Sequence, residues 1–210
     1  MSKVRCQWCL GDLLYENYHD TEWGVPIYDE QKLFEFLTLE IFQAGLSWIT
    51  ILRKRENFYN AFDQFDYVKI AEYGSDEITS LKKNSGIVRN RLKIEAAINN
   101  AKTFIKIQKK HGSFSKFIWA FVDGKPLINT FKTHKEIPHY TPLAYRVCKA
   151  LKKEGFNHNE DFIIIEVPNI VDISYGRGVG YTFTEHDLGE HIHEISATKI
   201  REQLRKDGKL

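Results

Sequence analysis

The chain has 210 residues, 42% of them hydrophobic and 28% charged. This composition predicts one ordinary globular domain with a short appendage and excludes both a large multidomain machine and global disorder. The net charge of +2 hides an asymmetry, because residues 1–156 carry 24 Lys and Arg against 18 Asp and Glu, whereas residues 157–210 carry 6 against 10. Three cysteines, Cys6, Cys9 and Cys148, are too few for a disulfide framework. No apolar run approaches the ~18 residues of a membrane span, and MSKVRCQWCLGD lacks the apolar stretch of a signal peptide. A reducing cytoplasm is the expected compartment, in which Cys6-Gln-Trp-Cys9 reads as a metal or thiol feature.

From Asp29 onward, Leu33, Phe34, Leu37, Ile41, Ala44, Leu46 and Ile49 recur largely at helical intervals. Gly45 is expected to break this run into two helices, or a helix and a tight turn. Ser75, followed by Asp76 and Glu77, suits the capped start of the next helix. Gly86 interrupts the pattern, and Ile87, Ile94, Ala97, Ile98, Ala101, Phe104 and Ile105 resume it up to His111-Gly112. Helix, Gly-containing turn, helix fits a helix-turn-helix or helix-hairpin-helix unit. Lys82 to Lys110 holds nine basic residues against the single acid Glu95, a field that suits a polyanion and equally a solvated helix face. A further helix is expected to end near Asp123-Gly124. Another opens at Thr141-Pro142 and stops at Gly155. Beyond Phe156, DFIIIEVPNIVDISYGRGVGYTFTEHD reads as strands and turns, and ISATKIREQLRKDGKL as one capped helix. A boundary at this point divides a helical part, 1–156, from an α+β tail, 157–210.

Chemistry-bearing residues crowd the N-terminal block, where Cys6, Trp8, Cys9, Tyr15, Tyr18, His19, Asp20, Glu22 and Trp23 fall within 18 positions. Cys6 and His19 have the donor character of two zinc ligands, although buried thiols and a core histidine fit the same residues. Tyr15, Tyr18, Trp23 and Trp48 could sandwich a nucleobase or fill a core. Glu40, among Leu39, Ile41 and Phe42, must reach solvent, find a partner or hold a shifted pKa. Gln43, three residues on, lies on the same helix side.

Together these residues resemble 3-methyladenine DNA glycosylase I. The resemblance rests on Cys6, Tyr15-Glu-Asn-Tyr18-His19-Asp20, Glu22-Trp23-Gly24-Val25-Pro26, Leu39-Glu40, Gln43 through Thr50, and Lys54-Arg55-Glu56-Asn57. It continues through Gly86-Ile87 with Arg89, Arg91, Lys93 and Ile94, then Phe117-Ile118-Trp119 and Ala150 through Phe156. About three quarters of the chain is covered. The resemblance implies a mainly α, helix-hairpin-helix DNA glycosylase fold, a monomer acting on double-stranded DNA with alkylated bases, and excision of 3-methyladenine. It further implies Glu40 as the carboxylate reading the methylated base, with Tyr15, Tyr18, Trp23 and Trp48 forming the pocket. Gly45-Leu46 would enter the DNA stack, Gly86, Arg89, Arg91 and Lys93 would hold the DNA, and Cys6 and His19 would ligate a structural zinc.

The tail departs from that pattern, since no cysteine follows Cys148. VPNIVDISYGRGVGY and ISATKIREQL instead resemble the C-terminal end of cytidylyltransferase-like nucleotidyltransferases, with Ser196, Thr198, Lys199 and Arg201 suited to an anion at a helix N-terminus. The HxGH motif of that family is absent. Cys9, His186, His191 or His193 are the substitutes available for the missing zinc ligands. The alternative to an active enzyme is a DNA-binding remnant whose replaced C-terminus impairs catalysis.

Overall fold

The computed structural model describes residues 5–131, 136, 138 and 140–156. These are mainly helical, with no strand among the described residues. In chain order the helices are α1 (Leu13–Thr21), α2 (Glu30–Gln43), α3 (Trp48–Ala61), α4 (Tyr67–Ala71), α5 (Ser75–Lys83), α6 (Arg91–His111), α7 (Phe114–Trp119) and α8 (Pro142–Glu154). The strands and final helix expected of the tail, and the candidate anion site on it, lie outside the described residues.

Most helix starts follow from a short polar side chain that accepts the otherwise orphaned N–H groups of the first turn. Asp12 accepts from Leu14 and Tyr15 at 3.0 and 3.2 Å, placing α1. Asp29 accepts from Lys32 at 2.8 Å at the head of α2. Thr141 accepts from Ala144 at 3.0 Å, with Pro142 in the first turn of α8 and Gly155 closing it at φ 104°. The head of α5 lies one residue from expectation: Gly74 occupies the cap and its N–H donates to Glu77 Oε2 at 2.7 Å. Glu77, reaching back from the first turn, fixes that start, so Ser75 is the first helical residue.

The long helix α6 organises the bundle. Ten of its 21 residues are buried, and α2, α4, α5 and α7 pack on it. The core between them is aromatic, with Phe34, Phe42, Phe58, Phe62, Phe65, Phe104 and Phe114 all essentially without exposure. Phe104 stacks on Phe114 at 4.2 Å and meets Phe34 edge-on at 5.4 Å, tying α6 to α7 and α2. Glu30 completes the join by accepting from the Phe114 and Ser115 N–H groups at 2.9 and 2.7 Å, which satisfies the head of α7 from α2. Among the described residues no helix is long and apolar enough to cross a membrane.

This scaffold sets α1, the C-terminal half of α2 and the head of α3 side by side. The expected break at Gly45 is a turn between α2 and α3. Ala44 at φ −47° and ψ 120°, Gly45 at φ 78° and a Leu46 N–H donating to the Gln43 carbonyl at 2.6 Å make it a type II turn.

Candidate active site

A cavity opens between α1, the head of α3 and the N-terminal segment, lined by Trp8, Tyr15, Tyr18, Trp23 and Trp48. Four of these were expected from sequence; Trp8 was not. Its ring lies 4.7 Å from Tyr15 and 5.5 Å from Trp23, while Tyr18 lies 5.5 Å from Trp48. The rings pack so closely that the cavity measures about 10 Å3, room for about one water, so a flat group would have to part them to enter.

Its polar edges are unusual. The indole N–H groups of Trp8, Trp23 and Trp48 are buried and have no hydrogen-bond acceptor among the described residues. A buried donor left unpaired costs about 1 to 3 kcal/mol, so three around one cavity are a standing demand for acceptors.

Glu40 lies one helical turn beyond Phe36, whose ring stacks on Trp48 at 6.3 Å, so it shares the face of α2 that meets the cavity wall. No cation or donor pairs with it among the described residues, and burial pushes its carboxyl up to about 7. The Tyr18 hydroxyl is pushed up as well, first by burial and then by the nearby charge of Glu40.

A charged layer backs this site. Arg55 donates to both carboxylate oxygens of Glu22 at 2.8 Å and to Glu35 at 2.6 Å, and Lys32 closes on Glu35 at 2.9 Å. The Arg55 guanidinium also covers the Phe36 ring at 5.2 Å. One side chain thus joins the end of α1, which leads to Trp23, to the face of α2 that supports Trp48. Sequence reasoning missed Arg55 in this capacity, because its partners are 20 and 33 positions away.

Cys6 and His19 are brought together, the Cys6 N–H lying 3.3 Å from His19 Nε2. Asp20 sits 3.2 Å from His19 Nδ1 and is paired in turn by Arg5 at 2.8 Å. His19 stacks on Trp23 at 5.0 Å, so this cluster forms the outer wall of the cavity and holds the segment that carries Trp8. Cys9 is buried, its thiol turned to the Cys6 carbonyl at 3.0 Å. Among the described residues no three His, Cys, Asp or Glu side chains form a metal-binding group. Two donors are half of a tetrahedral zinc site; His186, His191 and His193 lie outside the described residues.

Of the residues expected to meet DNA, Gly45 and Arg89 are exposed, Arg91 is exposed and paired with Glu95 at 2.7 Å, and Leu46 is half-buried. Gly86 sits in the α5–α6 turn, where a Cβ would come within 3.0 Å of Asn57, and Lys54 reaches its carbonyl at 3.2 Å. Lys93 departs from expectation. It is buried, and its ammonium donates to the Phe42 and Ala44 carbonyls at 3.1 and 2.5 Å instead of facing outward. The physical reason is its place on the apolar stripe of α6, between Asn90 at the cap and Ala97 and Ala101 below.

A sequence profile of the methyladenine glycosylase family matches residues 8–166. The chain belongs to the methyladenine glycosylase family. The match runs past Phe156 into the segment where the family pattern was expected to end. Among curated members, the DNA-3-methyladenine glycosylase of Haemophilus influenzae is 47% identical over 153 residues, 73% of this chain and 83% of that protein. The DNA-3-methyladenine glycosylase 1 of Escherichia coli K12 is 46% identical over 152 residues, 72% of this chain and 81% of that protein. A crystal structure of a 3-methyladenine DNA glycosylase I superposes with a TM-score of 0.70 at 48% identity, covering 73% of this chain and 84% of that one. The structure described as the basis of 3-methyladenine recognition by the Staphylococcus aureus enzyme gives 0.70 at 40% identity, covering 72% and 81%. The five aromatic residues, Glu40 and the Arg55 layer all fall within the family's matched span.

Proposed function

We propose that this chain is a DNA glycosylase that hydrolyses the N-glycosidic bond of 3-methyladenine in alkylated duplex DNA. Membership of the methyladenine glycosylase family supports the reaction class. The observation that carries the site assignment is the aromatic cluster carrying three unpartnered indole donors beside the half-buried Glu40, whose carboxyl is raised by desolvation.

Methylation at N3 makes adenine cationic. Aromatic faces attract a cation through their quadrupoles, and a desolvated carboxylate adds charge and hydrogen-bond complementarity. A neutral adenine gains neither, so Tyr15, Tyr18, Trp23, Trp48 and Trp8 with Glu40 select the damaged base after it is flipped from the stack. The glycosidic bond is already weak. Water attacks the sugar C1′ and loses a proton to solvent to leave a C1′ hydroxyl, the C–N bonding pair stays with the base, and the cation departs as neutral 3-methyladenine without needing a general acid. Among the described residues no lysine lines the cavity to form a Schiff base, which agrees with a monofunctional enzyme that leaves an abasic site in an intact strand.

DNA is held, on this reading, by a helix-hairpin-helix unit made of α5, the turn at Gly86 and α6, with Arg89 and Arg91 on phosphates and Gly45-Leu46 in the vacated stack. The protein works as a monomer. Cys6 and His19 would supply two ligands of a structural zinc, a metal that would stiffen the cavity wall and take no part in bond cleavage. Incubation with methylated duplex DNA, followed by chromatography of the released bases, tests the proposal: free 3-methyladenine with an uncut strand is expected, and release of no base refutes it.

A further inference from the structure

The α2–α3 turn carries Gly45 and Leu46, and its form is set by one peptide. Type I and type II turns share their end-to-end hydrogen bond and differ by about 150° in ψ of the first central residue, which turns the central peptide over. Here that peptide joins Ala44 to Gly45, and ψ of 120° at Ala44 puts it in the type II orientation. Its carbonyl oxygen is the one that Lys93 meets at 2.5 Å. The same ammonium meets the Phe42 carbonyl at 3.1 Å, one of the orphaned acceptors at the end of α2.

We infer that Lys93 is a positioning residue that locks the Ala44–Gly45 peptide in its type II form and so sets how the Gly45-Leu46 turn is presented to DNA. A planar trans peptide directs its N–H opposite to its C=O. With the Ala44 carbonyl drawn inward onto Lys93, the Gly45 N–H is directed away from the ammonium, and Gly45 itself is exposed. Turned over, the peptide would bury that N–H and direct a carbonyl outward, an acceptor where polyanionic DNA calls for a donor. The glycine is part of the device: φ of 78° strains any residue with a Cβ, although the space around Gly45 is open. Lys93 acts through the turn and makes no phosphate contact. Another lysine treats the second DNA-facing turn in the same way, Lys54 of α3 donating to the Ser85 and Gly86 carbonyls at 3.3 and 3.2 Å.

This inference rests on the proposal that Gly45-Leu46 enters the DNA, and the salt dependence of binding separates the two kinds of basic residue. Each phosphate neutralised contributes about 0.9 to the slope of log affinity against log salt. Wild type, K93M and R89A of the full chain are titrated with a duplex holding a tetrahydrofuran abasic-site analogue, over a range of salt. K93M is expected to bind about tenfold more weakly at every salt, the scale of leaving two carbonyls undonated, with the wild-type slope retained. R89A is expected to flatten the slope by about 0.9. Free 3-methyladenine should quench the tryptophan fluorescence of K93M with an affinity within about twofold of wild type, the cavity being untouched. A K93M slope flattened by about 0.9, or unchanged affinity, overturns the inference. Should K93M not fold, nitrogen-15 spectra of the wild type decide: a slowly exchanging Lys93 ammonium coupled to the Phe42 and Ala44 carbonyls supports the lock, and a freely exchanging one overturns it. A wild type that binds this DNA yet releases no 3-methyladenine would refute the glycosylase proposal alone.

Discussion

Glu40 sits where burial and recognition make opposite demands. Burial raises its carboxyl to about 7, so the empty pocket near neutral pH is shared between the neutral form and the carboxylate that a cationic base needs. The apparent kcat/KM for base release should therefore rise with pH through about 7, since that parameter reports the free enzyme. Stability should run the other way. Between the ordinary value of 4.5 and about 7 the folded chain holds a proton that the unfolded chain has lost, so stability falls as pH rises across that interval. E40Q should erase this slope and melt above wild type at pH 8, as thermal unfolding at pH 5 and pH 8 would show. Trp8 makes a second residue-scale test: W8A should weaken binding of 3-methyladenine by about 1 to 3 kcal/mol in calorimetry, the worth of one stacking face. Glu40, Tyr15, Tyr18, Trp23 and Trp48 were legible because a carboxylate in an apolar run and a dense set of aromatics stand out in any sequence. Trp8 was overlooked because Cys6 and Cys9 beside it drew the eye to metal chemistry. Lys93 was misread because a basic run looks solvated, although its spacing from Ala97 and Ala101 marks the buried stripe.

Among the elements, α1, α2 and α3 are joined by the Arg55 layer as well as by their apolar contacts. The Arg55 side chain is 18% exposed and that of Glu35 11%, so the pair is largely desolvated. Cutting such a pair leaves Glu22 and Glu35 with Lys32 as their one remaining cation among the described residues, and R55M should lose about 1 to 3 kcal/mol in denaturant unfolding. The loss should fall on the cavity as well, because Glu22 precedes Trp23 and Phe36 backs Trp48; weaker quenching of R55M by 3-methyladenine would show it. R55K, which keeps the charge without the bidentate fork, should recover only part of both. α2, α3, α5, α6, α7 and α8 were legible from their caps, breaks and 3.6-residue stripes, with the head of α5 displaced by one residue, whereas α1 and α4 were not foreseen. The Arg55 layer was not, because pairing across 20 and 33 positions leaves no periodic trace.

As a whole molecule, the chain is a methyladenine glycosylase over residues 8–166. The charge shift at 156 does not mark that limit, because the acids Glu160, Asp161 and Glu166 fall between the two positions. A full ligand set for the proposed zinc is not legible in the sequence, because metal donors converge from positions that sequence order does not relate. Metal analysis of the full chain should find one zinc, reduced in C6S and H19A together with thermal stability; full activity without metal would make the site dispensable. The proposed function turns on a carboxylate that selects a cationic base in an aromatic slot. The most direct test is single-turnover release of 3-methyladenine from alkylated duplex DNA, followed from pH 6 to 8 for wild type and E40Q. Release by wild type that climbs through about 7, with E40Q slow and flat across the range, is the expected result. Equal release by a folded E40Q at every pH would contradict it.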